Sequence, residues 1–216
     1  MEPEGARTVY ILRRMKRESI GHWPWNVYDP VKARPEELRF DLLDEREKAI
    51  GEITYGKASI LKGVDLTTPW GPAKIVWPKL NVKISIGDKE LVRFDMSWLG
   101  GKTDLIFHEN VVMQFKRIKG RRNDVEFSDG NGSVSFTEEE GTLPPGHPEL
   151  RIQMTKEEIK RLPKADRPRS IETRDYVQYR IVISGIIPVK NEDIVASLAI
   201  FAGFSRVMDE APGSGF

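Results

Sequence analysis

The stretch that decides the fold is Asn191 to Glu210, NEDIVASLAIFAGFSRVMDE. Asn191 can cap a helix, Glu192 and Asp193 complement the positive end of its dipole, and Pro212-Gly213 stop it. Between Ile194 and Phe204 the 11 residues IVASLAIFAGF are apolar on every side and interrupted only by Ser197. A helix with no polar face must be surrounded by protein, and this run is far short of the roughly 20 residues that cross a bilayer. Ala196, Ala199, Ala202 and Gly203 keep the helix slim, while Leu198, Ile200, Phe201 and Phe204 reach outward from it.

Strands supply the surround. Apolar residues recur at every second position in Val9 and Ile11, in Leu38, Phe40 and Leu42, and in Ile53 and Tyr55, followed by the short run Ala58 to Leu61. Leu80, Val82, Ile84 and Ile86 alternate up to the turn Gly87-Asp88, and Val92, Phe94, Met96 and Trp98 alternate after it, the pattern of an antiparallel hairpin. Gly100-Gly101 and His108-Glu109-Asn110 turn the chain through Leu105 and Phe107 into Val111, Met113 and Phe115. Asp129-Gly130-Asn131-Gly132 joins Val125 and Phe127 to Val134 and Phe136, and Tyr176 to Ser184 is the last strand. The expected fold is mainly β: a closed antiparallel barrel of roughly 12 strands enclosing the C-terminal helix, because an open sandwich would leave that helix uncovered. One short extra helix is expected near residues 155–162, where Thr155 and Glu158 stand at capping-box spacing. Residues 1–216 read as a single domain with irregular loops at about 18–35 and 141–171 and a tail at 211–216.

The segment Tyr179 to Glu210, YRIVISGIIPVKNEDIVASLAIFAGFSRVMDE, places a last strand, a glycine-containing link and an acid-terminated apolar helix in succession. In this it resembles the tubby-like and LURP-one-related superfamily, to which phospholipid scramblases are distantly similar. Leu38 to Gly51, LRFDLLDEREKAIG, is similar to that family's strand, acidic turn and glycine. The resemblance implies a barrel around a central helix and, from the tubby domains, binding of phosphoinositide headgroups by basic residues. It implies no catalytic residue, and fold alone does not transfer function.

Composition narrows the chemistry. With no cysteine, the chain has no disulfide, thiolate metal site, iron–sulfur ligation or cysteine nucleophile, and a reducing cytoplasm is the expected location, peripheral to a membrane if lipid is the ligand. Met1 to Gly5 is acidic where a signal peptide would be basic. The 34 Lys and Arg against 33 Asp and Glu leave a net charge of +1, which argues against a protein built around nucleic acid and leaves room for a local basic patch.

Gly100-Gly101-Lys102-Thr103 ends like a phosphate-binding loop, but the first glycine of that motif would fall at Met96. His108-Glu109 opens like a zinc-protease helix, yet Val112 stands where the second histidine belongs. His22, His108 and His147 are the only histidines, and Asp124, Glu126 and Asp129 lack the ligand order of a calcium loop, so no metal or cofactor is expected. No Gly-x-Ser-x-Gly elbow is present, and Asp95, Asp104 and His108 are the nearest candidates for acid–base work. Trp23 and Trp25 around Pro24, and Trp70 and Trp77 around Pro72, are expected to plug barrel ends.

Basic residues are the remaining signal, beside the alternative of an ordinary solvated face answered by the acids of Glu36 to Glu47 and Glu138 to Glu140. Lys116, Arg117, Lys119, Arg121 and Arg122 fall within seven residues with no acid among them. Lys160, Arg161, Lys164, Arg167 and Arg169 form a second group, and Arg13, Arg14, Lys16 and Arg17 a third. If they share one rim they make a site for phosphates, and the expected ligand residues are Lys116, Arg117, Lys119, Arg121, Arg122, Lys160, Arg161 and Lys164. The expected function is a non-enzymatic binding module for an anionic ligand such as a phospholipid or phosphoinositide headgroup. The alternatives are a scaffold that meets a protein partner through loop 141–171, or an enzyme whose site is assembled from distant strands.

Overall fold

The computed structural model describes residues 7–19, 39–56, 63–77, 81–96, 103–107, 112–117, 125–147, 156–163 and 170–209. The chain is mostly β. Its strands are β1 (Thr8–Ser19), β2 (Arg39–Asp44), β3 (Ala49–Tyr55), β4 (Val64–Thr68), β5 (Gly71–Val76), β6 (Asn81–Ile86), β7 (Lys89–Met96), β8 (Thr103–Phe107), β9 (Val112–Arg117), β10 (Val125–Ser128), β11 (Gly132–Thr142) and β12 (Ser170–Gly185). Helix α1 (Lys156–Arg161) lies between β11 and β12, and α2 (Asn191–Asp209) follows β12. Every strand pairs antiparallel with its neighbour in sequence, and β1 pairs antiparallel with β12, so the sheet closes on itself and no strand is an edge.

Local chemistry sets the turns. Gly87 has φ 56°, which lets β6 and β7 join through two residues, Gly87-Asp88. In the β10–β11 turn the Asp129 carboxylate accepts hydrogen bonds from the amides of Asn131 (2.9 Å) and Gly132 (3.0 Å). These bonds hold its pKa below the ordinary 3.8. The β2–β3 turn is organised the same way, the Asp44 carboxylate accepting from the amides of Arg46 and Lys48, both at 2.9 Å. Between those two residues, Glu47 has φ 59°, the only non-glycine with positive φ among the described residues.

The interior is lined by alternate residues of the wall and filled by α2. Phe40, Leu42, Ile53, Ile84, Phe94 and Ile181 belong to one buried cluster that also contains Ile194, Val195, Ala196, Leu198, Ala199, Ile200 and Ala202 of the helix. The helix is therefore enclosed around its circumference over these turns, as its lack of a polar face requires. Phe201 stacks on Phe94 of the wall at 4.1 Å between ring centroids. The Tyr55 hydroxyl donates to the carbonyl of Ile200 at 2.7 Å, and the buried Ser197 hydroxyl donates to Asp193 O at 2.6 Å, so neither buried polar group goes unpaired. The side chain of Phe204 lies outside the described residues.

Several sequence expectations are corrected. Val64 to Val76 forms the hairpin β4–β5, which the sequence reading leaves unassigned. In β1 the interior residues are Tyr10 and Leu12, opposite Ile181 and Tyr179, and not Val9 and Ile11. Val9, Ile11 and Met15 face outward and are nevertheless buried, so apolarity on both faces hides the true register. Strand β12 starts at Ser170 rather than Tyr176, β11 runs to Thr142 and β1 to Ser19, which trims the expected 141–171 loop at both ends and the 18–35 loop at its start. The short helix falls where expected, while Thr155, Ala58 to Leu61, Gly100-Gly101 and His108 to Val111 lie outside the described residues.

Arg13 sits on this outward, covered face of β1 with 1% of its side chain exposed. It donates through Nε to Gln178 Oε1 at 3.0 Å and through Nη2 to Glu47 Oε2 at 2.8 Å, and its guanidinium lies 4.5 Å from the centre of the Tyr176 ring. Gln178 in turn donates to Glu139 at 2.7 Å, and Glu139 also accepts from Arg180 Nε at 3.1 Å. Gly141 makes room for the arrangement, because a Cβ there would collide with the Tyr176 ring.

Candidate functional site

Because consecutive strands alternate in direction, the connections of the barrel alternate between its two ends. Those after β1, β3, β5, β7, β9 and β11 share one end, which we term the loop end; those after β2, β4, β6, β8 and β10 share the other. The loop-end connections include residues 20–38 and 143–169, whereas no turn at the far end exceeds four residues. Long connections on a rigid scaffold are where binding residues concentrate. Helix α2 enters from the far end, after β12, and points its C-terminus toward the loop end.

The sequences of the two sets of connections differ in charge. The six loop-end connections contain 16 Lys and Arg against 8 Asp and Glu, a net +8. The five turns at the far end contain 2 against 5, a net −3. The overall +1 of the chain thus conceals a strong asymmetry between the two sets of connecting sequences.

The described members of the three basic segments lie in elements that lead to the loop end. Arg13 to Arg17 lie in the half of β1 that leads to it, Lys116 and Arg117 close β9, and Lys160 and Arg161 close α1 within the β11–β12 connection. In barrel order β1, β12, β11, β10 and β9 are consecutive, so the segments occupy one sector, β1 to β9 spanning about 19 Å at roughly 4.8 Å per strand. Lys160 and Arg161 are exposed, in the last turn of their helix, where positive charge suits the dipole. The side chains of Lys116 and Arg117, and the residues Lys119, Arg121, Arg122 and Lys164, lie outside the described residues. Within the third segment the members diverge: Arg13 is buried in the network above, Arg14 lies over the Phe40 ring at 5.7 Å, and Lys16 pairs with Glu140 at 2.9 Å.

The acid–base candidates are brought together only in part. Asp95 and Asp104 face each other across β7 and β8, on the outer surface, with Arg93 Nε 3.9 Å from Asp95. His108 and His22 lie outside the described residues, and His147 is half-buried after β11. Among the described residues no group of three or more His, Cys, Asp or Glu is placed to hold a metal. Trp70 and Trp77 pack against the interior cluster, at opposite ends of β5; Trp23 and Trp25 lie outside the described residues.

Over strands β3 to β8 the wall is largely polar or charged outside and apolar inside. Glu52, Asp65, Lys74, Lys83, Arg93 and Asp104 point outward, the reverse of a bilayer-spanning barrel, whose outer band is apolar and whose lumen is polar. No described helix is long and apolar enough to cross a membrane. Comparison of the chain with protein-family models, curated proteins and solved structures gives no match.

Proposed function

We propose that the protein is a binding module whose loop end takes an anionic partner, a phosphate-bearing ligand such as a phospholipid or phosphoinositide headgroup at a cytoplasmic membrane surface. The observation that carries this reading is the net +8 of the loop-end connections against −3 at the far end. Such a field concentrates anions at one end and orients the molecule toward them. Separation of the basic segments over about 19 Å suits several phosphates, or a charged surface, better than one isolated phosphate. The resemblance to tubby-like domains points to the same class of ligand.

A thermal-shift screen tests the reading, with soluble phosphoinositide headgroups, nucleotides, short oligonucleotides and divalent metals in parallel. A ligand at 100 times its dissociation constant adds about 2.7 kcal/mol to stability. A shift from a phosphorylated headgroup, weakened by added salt and by the pairs Arg121→Glu/Arg122→Glu and Lys160→Glu/Arg161→Glu, is the expected result. Unchanged affinity in both charge-reversed pairs refutes the site, and silence across every anion refutes the function.

A further inference from the structure

Of the six asparagines in the chain, Asn131 alone is followed by glycine; Asn26, Asn81, Asn110, Asn123 and Asn191 precede valine, aspartate or glutamate. The difference is chemical. The side-chain carbonyl of an asparagine is open to attack by the main-chain nitrogen of the next residue, and a glycine there has no side chain to obstruct the approach. Asn131 is exposed in the β10–β11 turn, and its side-chain amide is bonded to no described residue.

Packing dictates that this neighbour be glycine. A Cβ at position 132 would stand 2.7 Å from Ile187 Cγ1, 2.8 Å from Ile186 O and 2.9 Å from Ser184 O. One at Gly185, which faces Gly132 across the β11–β12 ladder, would stand 2.8 Å from Asn131 O. The turn is therefore pressed against the link that leads from β12 into α2, and that close approach imposes the reactive pair. Asp129 opposes the reaction. The same carboxylate oxygen accepts from the Asn131 amide at 2.9 Å and from the Gly132 amide, the attacking group, at 3.0 Å. To attack, the Gly132 nitrogen must shed its proton and turn toward the Asn131 side chain. An ionised acceptor holds that proton in place, and its charge disfavours an amide anion beside it.

We propose that Asn131 is a modification site, deamidated through a succinimide at a rate governed by the Asp129 carboxylate. The Gly132 nitrogen bonds to Asn131 Cγ, the bond from Cγ to the side-chain nitrogen breaks, and that nitrogen leaves as ammonia with the proton taken from the Gly132 amide. Water then opens the ring at either carbonyl. Opening at Cγ gives aspartate; opening at the main-chain carbonyl gives isoaspartate, in which the chain runs through the former side chain and is one carbon longer. Both products add a negative charge to the turn, and the lengthened one also disturbs the packing of Gly132 on Ile187 and the link to α2. The site lies in a far-end turn and stands independently of the anionic-partner reading.

The parent, Asp129→Ala and Glu47→Ala are incubated as full chains at neutral pH and body temperature after circular dichroism establishes that each is folded. Glu47→Ala loosens the barrel from a different far-end turn and leaves the guard untouched. Peptide mass spectrometry follows exchange of the Asn131 amide for a carboxyl, and methyl transfer from S-adenosylmethionine by an isoaspartyl carboxyl methyltransferase counts isoaspartate. Conversion of Asn131 should be about tenfold or more faster in Asp129→Ala, the worth of one hydrogen bond to a charged group, and should keep the parental rate in Glu47→Ala. No conversion in Asp129→Ala overturns the site. Equal rates in the parent and Asp129→Ala, or equal acceleration in Glu47→Ala, overturn the guard. The deamidated fraction of the parent, separated by anion exchange, should melt below Asn131→Asp, which carries the same charge on an ordinary main chain. Coincident melting curves overturn the disturbance of the link.

Discussion

Replacing Glu47 by alanine removes the carboxylate from a guanidinium that water hardly reaches. Arg13 is 1% exposed and Glu47 51%, so the ion pair at 2.8 Å is buried on one side and solvated on the other. Stripping the partner from a fully buried charge costs about 3–5 kcal/mol. Here water screens half of the pair, and Gln178 and the Tyr176 ring stay in place, which brings the cost to about 2 kcal/mol. For a chain of this size, with a urea m-value of about 2.5 kcal/mol/M, the unfolding midpoint should fall by about 0.8 M. Glycine at the same position separates the two effects. Glu47→Gly loses the same ion pair but releases a left-handed backbone strain of roughly 1 kcal/mol, so its midpoint should lie between those of the other two proteins. Urea titrations followed by tryptophan fluorescence, with m held in common, give all three values. A midpoint for Glu47→Ala equal to that of the parent, or no difference between the alanine and glycine variants, refutes the argument.

Two further outcomes follow from particular contacts. Ala199→Asp puts a carboxylate into the fully enclosed part of α2 and should cost several kcal/mol or prevent folding; a soluble variant with an unchanged melting curve would mean that the helix is not enclosed. Asp129 has a folded-state pKa below 3.8, so its contribution is present above the unfolded pKa and is lost as pH falls through the folded one. The stability gap between the parent and Asp129→Asn should therefore be constant near neutral pH and shrink below about pH 4, as read from denaturant midpoints at each pH.

Much of the architecture is legible in the chain because each signal is local and one-sided. The β6–β7 and β10–β11 hairpins announce themselves through glycine-containing turns between alternating residues, and α2 through a run with no polar face. The β4–β5 hairpin escapes notice because Pro69 and Pro72 interrupt it; Pro72 is nevertheless accommodated in β5, opposite Thr67. The facing of β1 is misread because Val9 and Ile11 are as apolar as Tyr10 and Leu12, and period-two patterning cannot choose between two buried faces. The basic segments are visible as charge runs, but only the strand order reveals that three stretches so far apart in sequence share one end. The Arg13 network leaves no trace at all, since its members come from β1, β11, β12 and the β2–β3 turn, and no spacing connects them.

The closure of the sheet has a consequence for how the protein comes into being. Arg13 meets Gln178 across 165 residues, and the helix that fills the lumen follows all twelve described strands in the chain. While the earlier strands emerge they can form hairpins with their neighbours, yet the face destined for the interior has nothing to pack on until α2 arrives. Folding that waits on such distant pairing is slow, and the waiting chain presents an apolar trough to its surroundings. The native barrel thus cannot be completed before α2 has been made, and a nascent chain arrested before Asn191 is the species most in need of a chaperone.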